Sequence, residues 1–249
     1  MSPKKFFRFL RHAPTLMREL SELKRQASQS SHDIPFGKFN PYPHEKTQQS
    51  GTARGHYFHQ DLLVARRIHE AQPEKHVDVG SRVDGFVAHV AAFRPIEVLD
   101  IRPLDDDVQN IHFRQADLMA PPADMHGYCD SLSCLHAIEH FGLARYGDPI
   151  DFEGHIKGLA SLHTLLRENG TLYLSCPIGP QRIEFNAHRV FAIDYLLSLF
   201  EGLFEVRSFS YVDDRGDLHE DVDLDAQLRS NNGGCHYGCG IFELSKVAS

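Results

Sequence analysis

From Gly55 onward, apolar residues alternate between two spacings. Helical spacing runs through "YFHQDLLVARRIHEA", "GFVAHVAAF" and "GHIKGLASLHTLLRENG". Short apolar runs bounded by turn residues separate them: "HVDV", "IEVLDI", "IHFRQADL", "YCDSLSCL" and "GTLYLSCP". Strands alternating with helices of 10–15 residues predict a parallel, doubly wound sheet. Two further strands, "LFEVRSFSYV" and "CGIFELS", have only a polar loop between them and predict an antiparallel pair at the sheet's end. The expected fold class is therefore α/β, a Rossmann-like sandwich on a mostly parallel seven-stranded sheet with an antiparallel last strand. In the helix before "GTLYLSCP", Ile156, Leu159, Leu162 and Leu166 fall on one side, and Asn169-Gly170 supplies its stop.

The first 54 residues follow other patterns. Residues 3–27 read as a helical extension in two pieces divided at Pro14, because proline suits a first helical turn better than a helix interior. Phe6, Leu10, Leu16, Leu20 and Leu23 recur at helical spacing among basic residues. Such a segment suits peripheral contact with an anionic membrane surface, or packing on its own domain or on a partner subunit. Residues 29–54, rich in Ser, Gln, Pro and Gly, read as a linker or arm. The organisation expected is thus 1–28, 29–54 and a main domain over 55–249.

Charge sharpens this division. Residues 1–28 hold seven Lys and Arg against two Glu, so the remainder carries −13 of a total of −8. An acidic main domain argues against duplex nucleic acid as its principal partner, since phosphate contacts need a basic surface. Five unevenly spaced cysteines are not a secreted disulfide framework, and Arg8 and Arg11 interrupt any signal-peptide core. A cytoplasmic protein is expected.

Candidate chemistry sits at the strand ends, where open parallel sheets bind ligands. After "HVDV", which contains Asp78, come Gly80, Ser81 and Arg82, with Gly85 near the next helix start. Asp100, 20 residues beyond Gly80, is spaced to accept hydrogen bonds from ribose hydroxyls. Asp117 follows the third strand, placed to accept from the exocyclic amine of adenine. "SCLHAIEHFG" then brings His136, Glu139 and His140 to the mouth. Singly each is an ordinary turn or surface residue; four in order make a pattern.

The stretches "DVGS", Asp100, Asp117, "CLHAIEH" and "LLRENGTLYLSCP" resemble the successive motifs of class I S-adenosylmethionine-dependent methyltransferases. More closely, "YFHQDLLVARRI", "DVGSRVDGF", "LDIRPL", "HFGLARYGDP" and "FNAHRVF" resemble an uncharacterised domain family of this fold, first described from nematode proteins, over about residues 55–245. The resemblance implies S-adenosylmethionine as cofactor, with S-adenosylhomocysteine as product. Its binding residues would be Asp78, Gly80, Ser81, Arg82, Gly85, Asp100, Ile101, Asp117, Leu118 and Leu135. The common superfamily loop carries three alternating glycines; here Ser81 or Arg82 and Asp84 occupy part of it. A pyrophosphate needs close backbone approach, so the missing glycines disfavour a dinucleotide. A methionine tail tolerates this loop, and Ser81 or Arg82 can hold its carboxylate.

Methyl transfer relies on alignment, and a hydroxyl acceptor also on a base. Of 17 histidines, His140 follows the fourth strand beside the expected methyl group and His188 lies on the substrate side of the same mouth. Either can be the base, although orientation alone serves many such enzymes. His136, Arg145, Tyr146, Glu184 and Arg189 flank the same loops and can grip a small polar or glycan acceptor; equally, "ARYGDP" can be a self-bonded turn and Arg189 can pair with Glu184. "CHYGC" (235–239) has no second ligand pair at zinc spacing and reads as a loop before the last strand. A non-catalytic scaffold module and a nicotinamide-dependent oxidoreductase are the competing readings; the latter explains Asp100 but not "CLHAIEH".

Overall fold

The computed structural model describes residues 3–42 and 48–247, with side chains from residue 12 onward. Two units divide at Thr52/Ala53. In the first, helix α1 runs unbroken over Pro3–Ala27 with Pro14 inside it. The expected break at Pro14 is absent. Proline removes one helical hydrogen bond, and at this exposed position the neighbouring turns carry the helix through. Leu23 is exposed, whereas Leu16 and Leu20 are half-buried; the Phe6 and Leu10 side chains lie outside the described set. Among the described residues no helix is long and apolar enough to cross a membrane.

The second unit is an α/β sandwich on an eight-stranded sheet. In chain order its elements are α2 (His56–Ala71), β1 (His76–Val79), α3 (Ala88–Ala91), β2 (Ile96–Asp100), β3 (Ile111–Gln115), β4 (Cys129–Leu135), α4 (Gly154–Leu165) and β5 (Leu166–Ile178). There follow β6 (Arg182–Glu184), β7 (His188–Val190), α5 (Ile193–Phe200), β8 (Phe204–Val212), β9 (Leu218–His219), α6 (Ala226–Asn231) and β10 (Gly238–Lys246). The strand order is β3-β2-β1-β4-β5-β10-β8-β9, while β6 and β7 form a separate hairpin. The first five strands are parallel, and β10 inserts antiparallel between β5 and β8. The expected seven strands are all present; the eighth is the two-residue β9 on the β8 edge.

Period-two alternation sorts the sheet's side chains into two cores. Val77, Val79, Leu132, Leu172 and Phe242 face the layer that includes Leu159 and Leu162 of α4. Ile96, Val98, Tyr173 and Ile241 face Leu63, Val64 and Ile68 of α2. Each buried aliphatic or aromatic side chain contributes about 1.5–3 kcal/mol. The α2 face also buries a polar row. His76 Nδ1 lies 2.8 Å from Ser131 Oγ and its Nε2 3.1 Å from Ser133 Oγ, which donates to Asp78 at 2.6 Å.

Helix α4 stops earlier than the sequence suggests, at Leu165, and Leu166 already pairs with Cys129 as strand. Buried Lys246 donates at 2.8 Å to the carbonyls of His163 and Leu166, satisfying acceptors at the helix end. Asn169, at φ 60°, and Gly170 form an irregularity within β5 instead of the helix cap. Ile156 is exposed; Gly158 takes the inward place, so close to Phe141 that an added Cβ would collide with the ring. That contact seats the segment after β4.

Candidate functional site

Strand order reverses between β1 and β4, and the crevice beyond their carboxyl ends is where ligands of such sheets bind. Gly80 follows β1 at φ +76°, and an added Cβ would meet Ala137 Cβ at 2.9 Å. Only glycine lets the two segments approach this closely. Its N–H donates to Leu99 O at 2.9 Å, tying the loop to β2.

One part of the cleft is lined by Gly80, Asp100, Ile101, Asp117, Leu118, His136 and His140. A second, wider part is lined by Ser81, Arg82, Gly85, Leu135, Arg145 and Tyr146, with His136 and His140 shared. Most of the residues singled out in the sequence therefore meet at one place. Asp117 Oδ1 accepts from the Met119 N–H at 2.9 Å, which fixes its carboxylate. Arg82 pairs with Asp84 at 2.7 Å across exposed surface.

Four expected residues stand outside the lining. Asp78 is fully buried beneath the loop and accepts from both the Ser81 N–H and hydroxyl, at 3.0 and 2.9 Å. It shapes the loop instead of facing a ligand. Burial pushes its pKa up to about 6, against the hydrogen bonds from Ser133 and Ser81. Arg189 is buried and donates to the carbonyls of Glu139, Phe141, Asp151 and Phe152, so it grips backbone and neither an acceptor nor Glu184. Glu184 pairs instead with Arg182 at 2.8 Å on the β6–β7 hairpin. His188 stands behind His140, with ring centroids 6.5 Å apart, and lies 3.4 Å from Glu184.

His140 is placed differently. Its Nδ1 lies 2.7 Å from Ala187 O, which can only accept, whereas Arg145 Nη1 is 3.3 Å from Nδ1 and Glu139 Oε1 3.7 Å from Nε2. The shorter contact favours the proton on Nδ1 and the lone pair on Nε2. Burial lowers its pKa; the Glu139 carboxylate opposes this and Arg145 reinforces it. The neutral ring, able to accept a proton at Nε2, thus predominates at pH 7. Tyr146 meets it edge-on at 5.5 Å. The "ARYGDP" turn is indeed self-bonded, Asp148 accepting from the N–H groups of Ala144 and Tyr146 at 3.1 Å, yet it turns Tyr146 into the cleft.

Several lining residues escaped the sequence reading. Arg102 donates to Asp100 through Nε at 3.0 Å and Nη2 at 2.6 Å, and its guanidinium lies 4.4 Å from the Tyr146 ring centre. Tyr57, Gln60 and Asp61 of α2 form the opposite wall, and burial raises the Asp61 pKa. No signal local to α2 marks them; their place follows from how the helix crosses the sheet.

The fold matches solved structures. A Burkholderia thailandensis 1,6-didemethyltoxoflavin-N1-methyltransferase, crystallised with S-adenosylhomocysteine, superposes with a TM-score of 0.55 at 14% identity, covering 76% of this chain and 79% of its own. A putative sarcosine dimethylglycine methyltransferase from Galdieria sulphuraria gives 0.52 at 12% identity, with 76% and 86% covered. The [4+2]-cyclase SpnF gives 0.51 at 13%, with 76% and 82% covered. No curated protein sequence matches. Over residues 99–235, a shorter span than the 55–245 expected, the chain matches a described family, and it belongs to that family: Caenorhabditis protein of unknown function, DUF268.

Proposed function

We propose that this protein is an S-adenosylmethionine-dependent methyltransferase acting on a small polar acceptor, with a sugar or glycan hydroxyl as the acceptor its mouth suits best. The observation that carries the reading is the meeting of three strand ends on one cleft: Gly80 after β1, Asp100 at the end of β2 and Asp117 beyond β3. These residues fit the cofactor. Gly80 lets the loop after β1 pack against Ala137 at the cleft edge, Asp100 offers acceptors for ribose hydroxyls, and Asp117 offers one for the adenine amine. Ser81, Arg82 and Gly85 border the adjoining space, which suits the methionine end.

When bound, S-adenosylmethionine supplies an electrophilic methyl group on a sulfonium. The chain's own part is to align the acceptor and to take its proton. His140 Nε2 receives that proton, while the Ala187 carbonyl holds Nδ1–H and so fixes the tautomer. Arg145 and Tyr146 border the mouth and can hold the acceptor's oxygens. The basic segment 3–27 suits peripheral placement at an anionic membrane on the cytoplasmic side, where glycans are assembled; sedimentation with anionic but not neutral vesicles is the expected result.

Calorimetry with S-adenosylhomocysteine tests the cofactor, with NADH as control and Asp100→Ala as the variant. Micromolar binding that the substitution weakens at least about 10-fold is expected, without binding of NADH. Turnover seen only with protein or nucleic acid would overturn the acceptor class. A second reading, a binding module without methyl transfer, draws on one observation: Arg102 already occupies the Asp100 carboxylate. The SpnF likeness shows that this fold is also described in a cyclase.

A further inference from the structure

On the α2 side of the sheet, three potential metal ligands from distant parts of the chain converge. They are His56 at the start of α2, His136 just after β4 and Cys239 in β10, and their ligand atoms all lie within 4.8 Å of one another. We propose that they bind a single zinc-class divalent ion. The inference is independent of methyl transfer.

His136 is the member that is hardest to explain otherwise. Its side chain is 4% exposed, and Nδ1 lies 2.8 Å from Glu139 Oε1. A carboxylate accepts, so Nδ1 carries the hydrogen and Nε2 points away with a lone pair. That Nε2 is buried and, among the described residues, makes no hydrogen bond of ordinary geometry, although the Cys239 thiol is close enough to interact with the ring. A bare buried nitrogen is costly, about 1–3 kcal/mol. An imidazole fixed through one nitrogen by a buried carboxylate, with the other bare, is the usual arrangement of a metal-bound histidine. The residue also adopts φ +49°, a conformation that non-glycine residues hold only where their surroundings impose it.

The other two members fit. Cys239 is fully buried; among the described residues its sulfur makes long contacts of 3.8 Å, to Gln60 Oε1 and Gly240 O, and it also interacts with the His136 ring. The His56 ring lies parallel to that of His136, with centroids 5.3 Å apart. Tetrahedral zinc with Zn–N near 2.0–2.1 Å and Zn–S near 2.3 Å sets ligand atoms roughly 3.3–3.8 Å apart, so the cluster closes by about 1 Å on binding. His56 opens α2 without a side-chain cap and is the half-exposed member, the one free to adjust.

Two nitrogens and one sulfur leave a fourth position, the pattern of metal sites that bind water or substrate. Binding displaces the Cys239 thiol proton to solvent. The ion's two positive charges are then balanced by the thiolate and by Glu139. The "CHYGC" motif thus contributes one ligand, Cys239; Cys235 lies outside the cluster, its sulfur 3.8 Å from Gly233 O.

The test uses the full chain, stripped with a chelator under reducing conditions and titrated with Co²⁺. One Co²⁺ per chain, a near-ultraviolet thiolate-to-cobalt charge-transfer band and displacement by Zn²⁺ are expected. Cys239→Ser should abolish the band, and Cys235→Ala should keep it. Glu139→Gln should retain the band while weakening binding about 10–100-fold. Because Cys239→Ser alters a buried site, His56→Ala, a half-exposed position, provides the second check. It should weaken binding at least as much, with an unchanged circular dichroism spectrum. A folded wild-type protein that shows no thiolate band would overturn the site. So would a band that survives Cys239→Ser, or binding indifferent to His56→Ala.

Discussion

Arg102 lies against Asp100, closing a two-pronged ion pair at 3.0 and 2.6 Å over the carboxylate that a ribose would use. The arginine side chain is 41% exposed, so the pair contributes only about 0–1 kcal/mol. Ligand hydroxyls can displace it. Arg102→Ala is therefore expected to tighten S-adenosylhomocysteine binding by up to about fivefold. Asp100→Ala removes charged hydrogen bonds worth about 1.5–3 kcal/mol each and should weaken binding 10- to 100-fold or more. Calorimetry on both variants decides; equal losses would make Arg102 a binding residue and not a competitor.

His140 offers its Nε2 lone pair because Ala187 O holds Nδ1–H at 2.7 Å. If it removes the acceptor proton, His140→Ala should lower kcat about 10²–10⁴-fold while leaving S-adenosylhomocysteine affinity nearly unchanged. His188→Ala, behind it, should cost far less. An unaltered rate in His140→Ala, once an acceptor is in hand, would leave alignment as the sole source of catalysis.

The strand ends were legible in the sequence because a parallel sheet places ligands beyond its carboxyl edges, and Gly80, Asp100 and Asp117 each end or follow an apolar run. Pairing partners were not. Arg189 looks like a free cation in "FNAHRVF"; only the packing of the β6–β7 hairpin against the segment after β4 shows four carbonyls around it. Likewise His56 and Asp61 are ordinary helix residues until α2 crosses the sheet. Glycine and proline signals misled at α4 and α1. Leu166 gains more by pairing with Cys129 than by adding another helical turn, and an exposed helix tolerates Pro14.

The buried row under α2 makes a prediction about pH. Burial lowers the His76 pKa to about 3, from an ordinary 6.5, so the folded protein excludes a proton that the unfolded chain accepts. Its contribution is complete above pH 6.5 and is lost as the pH falls. Asp78 runs the other way: with a folded pKa of about 6 against 3.8, its contribution grows as the pH falls from 6 to 4. Each proton is worth about 1.4 kcal/mol per pH unit. Between pH 7.5 and 5 the penalty of His76→Gln should shrink by about 2 kcal/mol, and that of Asp78→Asn should grow by about 1 kcal/mol. Urea unfolding at the two pH values measures both. Shifts of the same sign would contradict the opposed burial of the pair.

Arg189 is expected to matter for stability and not for acceptor affinity. Its guanidinium reaches Phe141 O at 2.6 Å and Phe152 O at 3.1 Å, with Glu139 O and Asp151 O at 3.3 Å. Arg189→Met removes all of these donors; the Glu139 carbonyl contact is buried and the other three partly so. At about 1–3 kcal/mol for a fully buried orphan, a loss of about 2–4 kcal/mol is expected. Lysine cannot reproduce the planar fork, so Arg189→Lys should recover only part of it. Among molecules still folded at low temperature, S-adenosylhomocysteine affinity should stay within a few-fold of wild type, because Arg189 does not line the cleft. An unchanged unfolding midpoint together with a raised acceptor KM would reverse the assignment and return Arg189 to the acceptor site.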